Sequence, residues 1–269
     1  MSDAPELSLA SGTVSGSSSA IVTGGASGLG AGVARLLVDR GLGVAVVDRN
    51  EVAARAVADE LGCLSVGADV SDESGSDRAF AQIIDRLGNP AVLVCCAGVQ
   101  RGRRVVRNDG PVDLSWFRES VEINLVGTFN WVRMAANAMS HNHPSNHDGS
   151  RGVIIMTSSI TAFDGVDGGV AYAAAKAGVA GMTLPLAREL APLGVRVMSI
   201  APGVFDTPMA ATMPDEFAQA LTASIPHPPR LGSPDEFALL VGHIIDNPLL
   251  NGEVIRLDGG LRMTPGRLR

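Results

Sequence analysis

The chain has 269 residues, 21 of them basic and 28 acidic, for a formal net charge of −7. A hydrophobic share of 46% against 18% charged residues excludes a disordered chain, and the acidic balance argues against a nucleic-acid partner, whose footprint on a protein is basic. No uninterrupted apolar run reaches the roughly 18 residues of a membrane span.

The segment Met1 to Ser19 carries Asp3 and Glu6, and the first basic residue is Arg35. It therefore lacks the basic start of a signal peptide. Its Ser/Gly stretch, Ser11 to Ser19, reads as a flexible lead-in to one domain over residues 20–269. Three cysteines, Cys63, Cys95 and Cys96, cannot all pair with one another. They read as free thiols in a reducing compartment, and a cytoplasmic location is expected.

From Ala20 onward, short β-branched runs alternate with helical patterns. The first strand, Ala20–Thr23, leads into a helix with the stripe Leu29, Val33, Leu36 and Leu37, which Gly41 stops. Val44–Asp48 follows, then the stripe Ala53, Val57 and Leu61, then strand Leu64–Ala68. Phe80, Ile83, Ile84 and Leu87 mark the next helix, and Ala91–Cys96 the fourth strand. A polar insertion, Arg101 to Asp113, precedes one long helix expected from about Trp116 to Met139. A second insertion, Ser140 to Arg151, holds His141, His143 and His147. Its Asn, Pro, Ser and Gly content points to a solvated loop, with a metal site the alternative; no metal is expected.

Strand Val153–Ser158 and a helix over Tyr172–Leu190 come next, with Pro185 tolerable only as a local kink. After strand Val195–Ala201, Met209, Met213, Phe217, Leu221 and Ile225 are spaced like one apolar helix face. That segment, about 205–230, is either ordinary packing or a lid over a substrate. Ser233-Pro234-Asp235-Glu236 has the N-cap, Pro and Glu of a capping box, and its helix ends before Pro248. Glu253–Leu257 is the last strand. The strands are apolar without in/out alternation, as parallel strands covered on both faces should be. The expected fold is α/β: a single Rossmann-type domain with a doubly wound, seven-stranded parallel sheet and helices on both faces.

Chemistry enters at the first turn. Thr23-Gly24-Gly25-Ala26-Ser27-Gly28-Leu29-Gly30 joins a strand to a helix, so its glycines let a pyrophosphate approach and the helix N-terminus offers N–H groups to it. Gly24, Ser27, Gly28 and Leu29 are expected to touch a dinucleotide. Asp48 ends the second strand, 18 residues after Gly30. A carboxylate there accepts the adenosine ribose hydroxyls and repels a 2′-phosphate, which favours NAD, although Arg49 beside it could accommodate that phosphate.

The chain holds twenty arginines but one lysine, Lys176, and one tyrosine, Tyr172, four residues apart. On a helix that spacing puts both on one face. At an assumed ~5 Å and an effective dielectric of ~20, the ammonium stabilises a phenolate by roughly 3 kcal/mol. The phenol would drop about two pH units below its ordinary value near 10 and could exchange a proton with a substrate oxygen.

Taken together these motifs resemble the short-chain dehydrogenase/reductase family over nearly the whole length from Ala20. The glycine pattern is TGxxxGxG, Tyr172 and Lys176 match YxxxK, and Ser159 stands 13 residues before Tyr172. Asn124, Asp69-Val70 and Ala201-Pro202-Gly203 also fit the family pattern. The resemblance implies Ser159 as the group that bonds the substrate oxygen, Asn124 in the proton relay and Lys176 on the nicotinamide ribose. It implies Asp69 and Val70 at the adenine, Ala97 and Gly98 beside the cofactor, and Pro202, Gly203 and Thr207 at the nicotinamide. One departure is Cys95-Cys96-Ala97-Gly98, where the family has Asn at the first position; local stability there is in doubt.

In the C-terminal half, Ser159–Gly165, Gly181–Pro192, Pro226–Gly232 and Asn247–Gly259 resemble the subgroup of 3-hydroxyacyl-CoA and 17β-hydroxysteroid dehydrogenases. That implies NAD-dependent oxidation of a 3-hydroxyacyl-CoA in fatty-acid degradation, by an enzyme that forms homotetramers. The alternatives are a 3-oxoacyl thioester reductase acting on acyl-carrier protein, or a steroid or alcohol dehydrogenase. A silent dinucleotide-binding protein is disfavoured because the Ser, Tyr and Lys set is intact.

Overall fold

A computed structural model describes residues 18–213 and 215–263. Seven parallel strands form the central sheet: β1 (Ser19–Thr23), β2 (Gly43–Asp48), β3 (Leu64–Gly67), β4 (Pro90–Cys95), β7 (Gly152–Thr157), β8 (Val195–Pro202) and β9 (Val254–Leu257), in the order β3-β2-β1-β4-β7-β8-β9. The central strands are apolar on both sides because both sides are covered; Arg196 on β8 and Arg256 on the edge strand β9 are charged exceptions. Ile21, Ala45, Val47, Leu93, Ile154 and Met156 face one core with Trp131, Met139 and Val179. Their neighbours Ala20, Val22, Val46, Val94 and Ile155 face the other with Val33, Leu37, Phe237 and Val241. Helices α3 (Glu73–Leu87), α5 (Gly127–Ser140) and α7 (Val170–Leu190) close the first layer. Helices α1 (Gly28–Asp39), α2 (Glu51–Leu61) and α9 (Pro234–Asp246) close the second. The strand order reverses between β1 and β4, so a crevice opens at their C-terminal ends.

The structure corrects the sequence reading at several points. Residues 1–17 of the flexible lead-in lie outside the described residues, and Ser19 belongs to β1: it is 2% exposed, and its hydroxyl donates to the Asn89 carbonyl at 3.2 Å. The long helix is not uniform. α4 (Leu114–Val121) passes into a π-turn over Glu122–Val126 before α5 begins. The cause is Asn124, whose side-chain amide donates to the Ser120 carbonyl at 2.9 Å, the acceptor that its backbone N–H would use in a regular helix. The first insertion contains a small hairpin, β5 (Val106–Arg107) with β6 (Gly110–Pro111). The second is a loop tied by Asn142 to the carbonyls of Pro90 and Arg151; His147 there pairs only with Asp148. Among the described residues, no group of three His, Cys, Asp or Glu side chains could hold a metal.

α7 starts two residues before Tyr172 and runs through Pro185 as one element, at the loss of one backbone hydrogen bond. By length and composition alone, Val170–Leu193 is apolar enough to cross a membrane. Here it packs along β8 and α4 and carries Lys176 into the interior. The capping box of α9 is present as the sequence spells it. Residues 205–230 hold a 3₁₀ turn (Ala210–Thr212) and α8 (Asp215–Ala223), connected back to the sheet by the Phe205–Gly232 bridge. The Phe217 side chain lies outside the described residues.

Candidate active site

The dinucleotide cradle forms where β1 turns into α1. Gly24 has φ +67°, and a Cβ on it would lie 2.5 Å from the Ala97 backbone nitrogen. A Cβ on Gly30 would lie 2.2 Å from the Gly24 carbonyl oxygen. The loop is thus folded tightly against the sheet, and its N-cap Ser27 places no side-chain hydrogen bond on the first turn of α1. The first-turn N–H groups keep their capacity for an anion. Beside the loop, Gly24, Asp48, Asp69, Val70, Ala97 and Gly98 line one cavity of about 80 Å³. Asp48 accepts from the backbone N–H groups of Ala26 at 3.3 Å and Asn50 at 2.9 Å, one on each oxygen, which fixes the carboxylate at the cavity with lone pairs to spare. Asp69 is steadied by its own turn: Ser71 donates to one oxygen through its N–H and its hydroxyl, and holds the carboxyl below its ordinary range. These residues fit a dinucleotide.

A second cavity, of about 130 Å³, opens beside the candidate catalytic residues Ser159 and Tyr172. Leu29, Ser159, Tyr172, Gly203 and Thr207 line it together with Gln100, Ile160, Val166, Met209, Met213, Leu221 and Met263, so apolar side chains dominate. Gly203 is pinned by donating to the Leu257 carbonyl at 2.9 Å, which sets the Pro202-Gly203 turn at the cavity edge. Thr207 sits against the glycine loop: a Cβ on Gly28 would come within 3.1 Å of its methyl. The Ser159 hydroxyl oxygen accepts from the N–H of Thr161 at 3.2 Å and from its hydroxyl at 2.9 Å. Its own proton is left to donate into the cavity.

Tyr172 and Lys176 do share a face of α7, with the ammonium 5.7 Å from the centre of the phenol ring. The Lys176 ammonium donates to the Thr157 carbonyl at 2.7 Å, while the Ser158 hydroxyl donates to the Lys176 carbonyl at 2.8 Å. α7 is therefore fastened to the end of β7 on both sides of the lysine. Asn124 is fully buried and lines neither cavity. Its amide accepts from the Val99 N–H at 3.1 Å and donates to the Val99 carbonyl at 3.0 Å, bracing the strand that leaves Gly98. A Cβ on Gly98 would lie 2.7 Å from the Asn124 amide oxygen and 3.5 Å from the lysine nitrogen, so only glycine fits between them.

The electrostatics reverse the sequence expectation. Burial pushes the Tyr172 phenol up to about 12, with the neighbouring Ser159 hydroxyl pulling the other way. Burial also pushes the Lys176 ammonium down to about 8. Removing both groups from water outweighs the attraction that spacing alone suggests. The Cys95 substitution is accommodated. That thiol is buried in the core, where burial raises its pKa and a contact with Thr23 opposes the rise. Cys96 accepts from the Thr157 hydroxyl and is raised to about 11.

Sequence reasoning missed the groups that support the set. The Thr157 carbonyl, Thr161 and Gln100 have no spacing signal. Arg256 bonds Asp164 across 92 residues with two contacts of 2.8 Å, a pairing that only the fold creates. Met263 reaches the cavity from the end of the described chain.

A Rossmann-type crevice with Ser, Tyr and Lys at its mouth defines a nicotinamide-dependent oxidoreductase, and residues 18–217 match the short chain dehydrogenase family. The chain belongs to that family. It is 44% identical over 250 residues to the human 3-hydroxyacyl-CoA dehydrogenase type-2, covering 91% of this chain and 95% of that protein. It is 46% identical over 249 residues to the Drosophila melanogaster protein of that name, covering 91% and 97%. An ipsdienol dehydrogenase from Ips pini is 39% identical over 248 residues, covering 90% and 96%. The crystal structure of a 3-hydroxyacyl-CoA dehydrogenase type-2 from Mycobacterium avium superposes with a TM-score of 0.88 at 40% identity, covering 93% of this chain and 98% of that one.

Proposed function

We propose that the protein oxidises a 3-hydroxyacyl-CoA to the 3-oxoacyl-CoA with NAD as cofactor. The observation that carries the reading is the catalytic cavity itself: the hydroxyls of Ser159 and Tyr172 share a pocket whose other lining is mostly apolar, with Gln100, Thr161 and Thr207 its remaining polar side chains. Its rim adds a second support. Gln100 lines the cavity and leads directly into Arg101, Arg103, Arg104 and Arg107, and the Arg103 N–H donates to the carbonyl of Gly168, two residues beyond the cavity residue Val166. Arg101 and Arg107 pair with Glu119 and Asp109. Arg103 and Arg104 are exposed and have no acidic partner among the described residues. On a chain of net charge −7, Arg103 and Arg104, in the segment that leads into the β5–β6 hairpin, are a local receptor for the phosphates of coenzyme A.

Gly24, Ser27, Gly28 and Leu29 would hold the pyrophosphate, Asp48 the adenosine ribose, and Asp69 and Val70 the adenine. Ala97 and Gly98 would lie beside it, with Lys176 at the nicotinamide ribose and Pro202, Gly203 and Thr207 at the nicotinamide. The bound dinucleotide supplies the hydride acceptor. Ser159 donates a hydrogen bond to the substrate oxygen and orients it. Tyr172, as phenolate, takes the proton from that oxygen as the carbinol C–H hydride leaves. The Lys176 ammonium favours the phenolate, and a further positive charge brought against the buried phenol lowers its pKa again. The proton leaves by way of Lys176, with Asn124 bracing the path.

Asp48 at the cavity favours NAD, because a 2′-phosphate would meet its carboxylate. The described cysteines are unpaired, which supports a reducing, cytoplasmic location. A homotetramer is proposed from the outer stripe of α7, where Val170, Ala174, Ala177, Gly181 and Leu184 are all exposed and apolar.

The test is kcat/KM for 3-hydroxybutyryl-CoA, the matching acyl-carrier-protein thioester, a hydroxysteroid and a terpenoid alcohol, each with NAD⁺ and NADP⁺. The CoA thioester with NAD⁺ should lead by tenfold or more. Leadership by the terpenoid alcohol would favour the second reading, a CoA-free alcohol dehydrogenase, which the ipsdienol relative supports.

A further inference from the structure

The turn that carries Ser159 is tied to the end of the chain by a cluster of charges outside the catalytic set. Asp164 closes the short helix α6 (Thr161–Asp164), and Arg256 sits on β9. The guanidinium grips both Asp164 oxygens at 2.8 Å, and its Nε donates to Asp258 at 2.7 Å. The same guanidinium donates to the Leu261 carbonyl at 2.9 Å, and the Met263 N–H donates to Asp164 at 3.1 Å. Little of it reaches water: the side chains of Arg256, Asp164 and Asp258 are 20%, 11% and 7% exposed. The guanidinium also lies 5.7 Å over the ring of Phe163.

Apolar side chains of similar volume would stabilise such a place at least as well as ions. What the ions add is direction: each contact has one geometry. They fix the last described residues against the active-site turn. Leu261 is fully buried against Ile160, Leu221 and Ile225. Met263 lines the same cavity as Ser159, Tyr172 and Leu221.

We infer that Asp164 and Arg256 form a latch that holds residues 261–263 as a wall of the substrate pocket, with Met263 setting how long an acyl chain the pocket accepts. The inference rests on the substrate reading above. Asp164 and Arg256 are positioning residues. Met263 meets the chain remote from the reacting carbon. The cavity of about 130 Å³ suits a short acyl group, and a longer one must displace the flexible thioether side chains of Met213 and Met263.

The experiment measures kcat and KM for four-carbon and eight-carbon 3-hydroxyacyl-CoA with the full chain. Met263→Trp should lower kcat/KM for the eight-carbon substrate at least tenfold through KM, and lower the four-carbon value by a smaller factor, so that the eight-to-four ratio falls threefold or more. Met263→Ala should raise the eight-to-four ratio threefold or more. Asp164→Asn should move the ratio in the direction of Met263→Ala, with four-carbon kcat within threefold and NADH affinity within twofold of wild type; Asp164→Glu should restore part of the ratio. Should Asp164→Asn fail to fold, the two Met263 variants decide. A ratio within twofold of wild type in both Met263 variants overturns the wall. A wild type that ignores every thioester overturns the substrate reading instead, and the ratio is then taken on a short-chain and a long-chain secondary alcohol.

Discussion

Tyr172 is the chain's single tyrosine, so its ionisation can be followed without interference from a second phenol. In the folded protein without dinucleotide it holds its proton up to about pH 12, against about 10 in an unfolded chain. Because the folded value is the higher, its contribution to stability is intact below pH 10 and is lost as pH rises from 10 towards 12. Lys176, shifted down to about 8, acts in the opposite sense: the buried charge penalises the fold below pH 8, and the penalty fades between 8 and the ordinary lysine range. Near-ultraviolet titration of the native protein should show no phenolate at pH 10.5, and saturating NAD⁺ should bring the transition down by a unit or more. A native midpoint at 10 would contradict the buried environment. Tyr172→Phe should lower kcat by a thousandfold or more and leave NADH affinity within threefold. The pair was legible because a lone Lys and a lone Tyr stand one helical turn apart. The sign of the phenol's shift was not, because burial depends on residues that only the fold brings together around it, among them Ile160, Val166, Phe205 and Met263 of the same cavity.

At the scale of elements, the strands and most helices could be read from periodicity, since both faces of the sheet are covered and the central strands are largely apolar runs. The π-turn at Glu122–Val126 could not. It arises from one amide competing for the Ser120 carbonyl, and a stripe of apolar residues carries no trace of that. The β5–β6 hairpin was equally hidden, because its two-residue strands are too short for alternation to show. The charges of the segment that leads into it are testable. Arg103→Glu with Arg104→Glu should raise KM for a CoA thioester tenfold or more while changing KM for the same acyl group on a short pantetheine fragment less than twofold, and the difference should shrink in high salt. Equal effects on both thioesters would remove these two arginines from substrate recognition.

At the scale of the whole molecule, the fold class and the C-terminal edge of the sheet were both readable, because repeated strand–helix units leave one handedness of connection. The role of the chain's end was not. Asp164 and Arg256 stand far apart in sequence and meet only when β9 joins the sheet edge. The outer stripe of α7 predicts association: sedimentation of the wild type should give a species near four times the monomer mass. Leu184→Glu, which places a charge at a residue 45% exposed in the single chain, should shift that mass down without changing the helical signal. A wild type that sediments as a monomer would show that the stripe is simply solvated.

One rod, α7, thus has two tenants. Its inward side holds the phenol and the amine of the proposed proton exchange, and its outward side is an exposed greasy strip, the one proposed above to meet a sister copy. Where copies meet through that strip, loosening the contact would reach the inner pair through the same backbone, which is tied to the sheet at Thr157, Ser158 and Ser199. Turnover per protomer should therefore weaken on extreme dilution, in step with the parting of the copies.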